Sequence, residues 1–147
     1  MGAKANRNLD ELRARIRAAG LRVTAPRLAV LRCLVGATTP QSHGELVEVL
    51  SSEGWDRATI YRNLTDLTEA GLARRTDLGD HVWRFEVQAE GAAHSAASHP
   101  HFLCSECGDV VCLPDESVHV TPARGAPRAL RKSGVEIQIR GRCDRCT

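Results

Sequence analysis

His99-Pro-His101-Phe-Leu-Cys104-Ser-Glu-Cys107-Gly108-Asp-Val-Val-Cys112 places two kinds of metal-binding group within fourteen residues. In an extended segment residues two apart point to the same side, so His99 and His101 can offer ring nitrogens to one ion. The Cys-x-x-Cys-Gly knuckle presents two thiolates on one tight turn, with Gly108 relieving the backbone behind them. A four-sulfur zinc site needs a second such turn, and Cys143-Asp-Arg-Cys146 supplies it. Cys104, Cys107, Cys143 and Cys146 therefore read as ligands of a structural zinc. The competing reading is a dithiol redox pair, which does not need both turns. The apolar residues around the knuckle, Phe102-Leu103 and Val110-Val111, predict paired strands with the knuckle at their bend. Val135-Glu-Ile-Gln-Ile-Arg140 alternates as a half-buried strand and delivers the second knuckle.

Composition bounds the rest. With 147 residues the chain suits one ordinary domain or two small ones. Two Phe, two Trp and one Tyr leave Leu, Val, Ile and Ala to build any core, and a structural metal or a dimer interface helps such modest cores hold. Nothing near the start resembles a secretory signal, and no apolar run is long enough to span a bilayer. A cytoplasmic location is the expectation. There, paired cysteines are more often metal ligands than disulfides. Residues 1–32 hold eight Lys or Arg against Asp10 and Glu11, a local excess suited either to a phosphate backbone or to a solvated basic helix.

Outward from this stretch, the first nineteen residues suggest a polar arm leading into a helix with Leu9, Leu12 and Ile16 inward and Gly20 at its end. Thr24 and Pro26 start a second helix with Leu28, Leu31 and Val35 on one face; Cys33 within it reads as a buried structural thiol. After a loop over 36–41, Ser42 and Glu45 form a capping box for a third helix, with Leu46, Val49 and Leu50 inward and Gly54 closing it. Asp56 caps a fourth, 57–70, whose Ile60, Leu64 and Leu67 fall on one face, with Thr59, Arg62, Asn63 and Tyr61 set against them. Strands over 72–76 and 81–87 follow, joined by Asp77-Leu-Gly-Asp80. Two helices joined by a short turn and then a hairpin is the order of a winged helix-turn-helix, in which the fourth helix enters the major groove. A small helical domain whose polar face meets only water has the same pattern. Residues 88–98, rich in Ala and Gly, read as a connection. Pro122 and Pro127 argue against a long helix over 114–127, and 128–133 suits a short one.

The pattern Arg22-Val-Thr-Ala-Pro-Arg27, the segment Arg57-Ala-Thr-Ile-Tyr-Arg-Asn-Leu64, and His99-x-His101-x-x-Cys104-x-x-Cys107-Gly108 with Cys143-x-x-Cys146 together resemble the ferric uptake regulator family over nearly the whole chain. The resemblance implies an α+β protein: a winged helix-turn-helix over 1–87, a hinge over 88–98, and a small α/β dimerisation domain over 99–147 with a four-cysteine zinc site. It also implies a homodimeric, metal-dependent repressor of double-stranded DNA operators, with a second divalent ion at the hinge and no enzymatic activity.

Carried onto this chain, the resemblance makes Thr59, Tyr61 and Arg62 DNA contacts, with Arg22, Arg27, Arg57 and Asn63 as further candidates. It makes His99, His101 and Glu86 regulatory ligands. The family's histidine near the third helix aligns with Pro40, leaving His43 as the substitute, and Cys112 stands where many members place an Asp or Glu ligand. Cys112 is open between sensing site, core and redox role. A thiolate favours zinc, whereas Glu86 with histidines suits iron(II) or manganese, so Zn2+, Fe2+ and Mn2+ all stay open. The family's secondary metal site is poorly matched, with Ser98 and Pro100 in ligand slots and His119 retained; His81 and His94 read as ordinary exposed histidines. Two alternatives stand beside the metal-uptake repressor: a peroxide sensor of the same family, and a zinc-stabilised DNA-binding module without sensing.

Overall fold

The structure, a computed structural model, describes residues 2–88, 99–131 and 137–147. The chain divides into two compact units, Met1–Glu90 and Gly91–Thr147, and the fold is α+β, with helices dominating the first unit and strands the second.

In the first unit, helix α1 runs over Gly2–Ala18, α2 over Ala25–Gly36, α3 over His43–Leu50 and α4 over Arg57–Glu69. Helix α1 is continuous from Gly2, where the sequence suggests a polar arm first; Leu12 and Ile16 on it are buried. The caps fall where the side chains ask for them. Thr24 accepts from Arg27 N, Ser42 and Glu45 close a reciprocal box, and Asp56 accepts from Thr59 N. Each satisfies backbone donors that the first helical turn leaves unpaired. Gly20, Gly54 and Gly71 all take positive φ at the helix ends.

Two inward faces differ from the periodicity. Helix α2 packs against α1, α4 and β3, so Ala29, Val30, Leu31 and Leu34 are buried, while Val35 is exposed. A helix covered on several sides buries a wider arc than one stripe. In α3, Leu46 and Leu50 are buried one turn apart, and Val49 is exposed.

Strand β1 is Gln41–Ser42, β2 is Ala73–Asp77 and β3 is Trp83–Val87. They form an antiparallel sheet in the order β1-β3-β2. The hairpin turn is held by Asp77, whose Oδ1 accepts from Gly79 N at 2.8 Å and His81 N at 3.1 Å. Buried Arg84 donates two bonds, 2.9 and 2.8 Å, to the Asp80 carboxylate. One apolar cluster, from Leu12 and Ile16 through Leu31, Leu46, Ile60 and Leu64 to Phe85, unites helices and hairpin. This is a winged helix.

In the second unit, β4 (His101–Cys104) pairs antiparallel with β5 (Val110–Cys112) and parallel with β6 (Gln138–Gly141). The expected short helix is a 3-10 turn over Arg128–Arg131. The expected connection beyond Gln88, and the start of the strand at Val135, lie outside the described residues. Among those described, no helix is long and apolar enough to cross a membrane.

Candidate metal centres and nucleic-acid interface

Two backbone devices bring four cysteines together. Gly108, at φ +74°, closes the first knuckle, and its N–H donates to Cys104 O at 3.0 Å. The parallel ladder carries β6 alongside β4 until Cys104 faces Gly141, and Ser105 N–H donates to Gly141 O at 2.8 Å. The Sγ atoms of Cys104, Cys107, Cys143 and Cys146 all lie within 4.8 Å of one another, and Cys107 Sγ is 3.7 Å from Cys143 Sγ. Zinc–sulfur bonds of about 2.3 Å in a tetrahedron place sulfurs about 3.8 Å apart, so the set fits that ion.

Its electrostatics fit as well. Backbone N–H groups of Cys107 and Cys143 aim at Cys104 and bring its thiol down to about 6. The thiols of Cys143 and Cys107 push Cys146 up to about 12, and Cys104 raises Cys107. Four crowded sulfurs cannot all ionise on their own, and a dication supplies the missing counter-charge. All six cysteines are free thiols. Convergence of both knuckles on one point favours a metal centre over a dithiol pair.

The second group follows from register. His101 lies opposite Cys112 across β4 and β5, and Leu113 N–H donates to Pro100 O at 2.8 Å. That bond flanks His101–Cys112 and makes it a non-hydrogen-bonded pair, the kind whose side chains approach most closely. His99, two residues before His101, shares its face; the two rings are 4.5 Å apart. Nitrogens of His99 and His101 and the Cys112 sulfur lie within 4.8 Å of one another. Cys112 thus lies beside both histidines.

The profile of the ferric uptake regulator family matches residues 18–138, most of the chain. The chain belongs to this family. It is similar to the peroxide-responsive repressor PerR of Staphylococcus aureus, with 32% identity over 105 residues, 70% of this chain and 66% of that one. The match thus spans just under two thirds of the relative's length. The ferric uptake regulator of Pseudomonas aeruginosa, solved with manganese, is 28% identical with a TM-score of 0.58, covering 89% of this chain and 96% of that one. The Helicobacter pylori ferric uptake regulator Fur, described as having three functional metal binding sites, shares the fold. Its TM-score is 0.67 at 20% identity, over 94% of this chain and 90% of that one.

In this family member the regulatory candidates of the first unit already have partners. Glu86 on β3 faces Arg74 on β2 in register, and Arg74 Nε donates to its Oε1 at 3.0 Å, with Nη2 bonded to the same oxygen. The His43 Nε2 lies 2.9 Å from Arg57 O. A carbonyl only accepts, so Nε2 carries the proton, which leaves Nδ1 as the nitrogen able to bind an ion. The His43 ring also meets Tyr61 edge-on at 5.5 Å. Neither residue belongs to the two ligand groups found among the described residues.

Helix α4 carries the Arg57–Leu64 segment by which the chain resembles the family. Arg57, Tyr61 and Arg62 are exposed and Thr59 is half-buried, with Arg62 Nη2 3.4 Å from Thr59 Oγ1. Asn63 requires a correction. It is buried at 7% exposure on the face of Ile60, Leu64 and Leu67, and its Nδ2 donates to Thr59 O at 2.8 Å. Position 63 lies three after Ile60 and next to Leu64, so it follows the inner stripe despite its polarity. Arg27 is also committed inward: it donates to Arg22 O at 2.6 Å and pairs with Asp66, tying the start of α2 to α4. Arg22 is exposed. The sequence reading missed the wing pair Arg75 and Trp83, whose guanidinium sits 4.3 Å from the ring centroid, and the Arg74 partner of Glu86. Alternation along the two strands signals which residues share a face, but only the hairpin register pairs them.

Proposed function

We propose that this family member is a metal-responsive DNA-binding repressor, acting as a homodimer in the cytoplasm, whose operator affinity rises when a divalent ion occupies a regulatory site. The observation that carries the reading is the convergence of His99 and His101 on one face beside Cys112, apart from the four-cysteine group. Such an ion supplies a positive charge that holds ligands from two parts of the chain in one arrangement. His99 and His101 would hold it from the dimerisation half. Glu86 and His43 would join from the winged helix, Glu86 exchanging its Arg74 partner for the ion and His43 using Nδ1. Because the His43 Nε2–H donates to Arg57 O and its ring meets Tyr61, an ion on Nδ1 acts directly on the first turn of the recognition helix. The ion-bound homodimer would then favour a spacing in which two recognition helices reach successive major grooves. Arg22, Arg57, Thr59, Tyr61 and Arg62 are the proposed DNA contacts, and zinc is the proposed ion of the four cysteines.

The test is fluorescence anisotropy on a duplex selected from a random pool by the metal-loaded protein. Titrations are performed anaerobically with zinc, iron(II), manganese or none. Ion-dependent affinity that disappears in His99→Ala/His101→Ala supports the reading. Equal affinity with and without ions, unchanged in that variant, leaves a zinc-stabilised module without sensing. Similarity to a peroxide-responsive repressor favours a second reading, in which iron(II) promotes oxidation of a ligand histidine. Intact mass spectrometry of the iron form after dilute peroxide, with no oxygen added to any histidine, would exclude it.

A further inference from the structure

We propose that Cys112 is a thiolate ligand of the regulatory ion and the residue that sets its metal preference, making the site selective for a thiophilic divalent ion, zinc before manganese or iron(II). The inference rests on the reading that His99 and His101 hold the sensed ion, and it names the chemistry of that site.

Three observations carry it. Cys112 is placed by backbone register rather than by a side-chain accident: it faces His101 in a non-hydrogen-bonded pair, where side chains approach closest. Its sulfur lies within 4.8 Å of ligand nitrogens of both histidines, so a tetrahedral ion is reached from all three with no change in strand pairing. The set is also complete within one unit, whereas Glu86 and His43 are engaged by Arg74 and by Arg57 and Tyr61 in the other. Two imidazoles and one thiolate form a borderline-soft donor set, which zinc satisfies better than manganese, an ion suited to carboxylate and carbonyl oxygen. Ion binding releases the thiol proton to solvent and leaves one negative charge on sulfur. Three protein ligands leave a fourth position for water or another donor.

Cobalt(II) tests this in the full-length chain carrying one zinc in the four-cysteine site, with zinc retention monitored throughout. One further equivalent of cobalt should produce a sulfur-to-cobalt charge-transfer band that is absent in Cys112→Ser and Cys112→Asp. Losing a group that merely supports a ligand costs about 10–100-fold in affinity, so losing the ligand should weaken zinc at this site by at least about tenfold. Cys112→Asp should shift preference toward manganese. A readout that needs no variant is alkylation: a second equivalent of zinc should protect Cys112 from iodoacetamide, as read by peptide mass spectrometry. Cobalt that binds without a charge-transfer band, or zinc that leaves Cys112 alkylated, overturns the proposal. The regulatory reading survives that result if His99→Ala/His101→Ala abolishes the second equivalent. Failure of any second ion to bind removes both.

Discussion

Asn63→Ala separates the architecture of α4 from its proposed DNA-reading face. The side chain is 7% exposed and donates one 2.8 Å bond to Thr59 O. Thr59 O stays satisfied after the change, since the helical N–H of residue 63 still reaches it. The loss is one net hydrogen bond, about 1 kcal/mol, plus a small cavity beside the inner stripe of about 1 kcal/mol. Alanine's helix propensity returns roughly 0.5 kcal/mol. The variant should therefore unfold at lower urea, with about 1–2 kcal/mol lost. Even from a total of only about 5 kcal/mol, such a loss leaves under about 1–2% of chains unfolded. Operator affinity of the folded protein should thus move by less than about twofold. Arg62→Ala should do the reverse, weakening operator binding by about 1–3 kcal/mol with an unchanged urea midpoint. Urea unfolding by circular dichroism and operator titration by anisotropy, on the same preparations, read both quantities. An Asn63→Ala protein with wild-type stability and tenfold weaker operator binding would refute the burial argument and restore Asn63 to the DNA face.

Chelation of the four-cysteine ion, or Cys143→Ser, should release β6 and its knuckle. Fast amide exchange should appear at residues 138–146 while the winged helix keeps its exchange pattern. Ser42→Ala removes the reciprocal box with Glu45 and should lower stability by about 1 kcal/mol in urea unfolding. Asp80 is held below the usual carboxylate range first by its bonds from Arg84, and Asp56 by the Thr59 backbone N–H. Depressed folded values mean that this stabilisation is fully present above the unfolded carboxylate range and disappears as pH falls through the lower folded values. Acid titration of wild type should therefore show a stability loss beginning below about pH 4, shallower in Asp80→Asn, with unfolding followed by circular dichroism. Gly141→Ala would bring a Cβ to 3.3 Å from Phe102 Cε2 and should weaken the β4–β6 seam, read as a lower thermal midpoint.

The helix starts were legible because capping is local: Thr24, Ser42 with Glu45, and Asp56 each act on backbone within three residues. The four-cysteine group was equally readable, since each knuckle carries its own spacing. What escaped depends on partners distant in sequence. Val35 and Val49 fit a helical stripe, yet which stripe is covered depends on where α1, α4 and β3 lie. Asn63 reads as polar and outward until the neighbours of Ile60 and Leu64 are known. Cys112 stayed ambiguous because its fate turns on strand pairing, and the parallel alignment of β6 with β4 crosses residues with no clear signal. Glu86 looked like a waiting ligand, and only hairpin register reveals Arg74 opposite it.

Five residues, 105–109, separate β4 from β5, and they act as a ruler. Adding one residue between Gly108 and Val110 would leave both Cys-x-x-Cys spacings intact and the four sulfurs free to meet. It would also advance the opposing strand by one place, setting Val111 against His101 and turning Cys112 to the other side of the sheet. A sulfur donor would be exchanged for an aliphatic side chain without any ligand being mutated. In this fold the length of a turn, and not only the identity of its residues, decides which side chain faces His101.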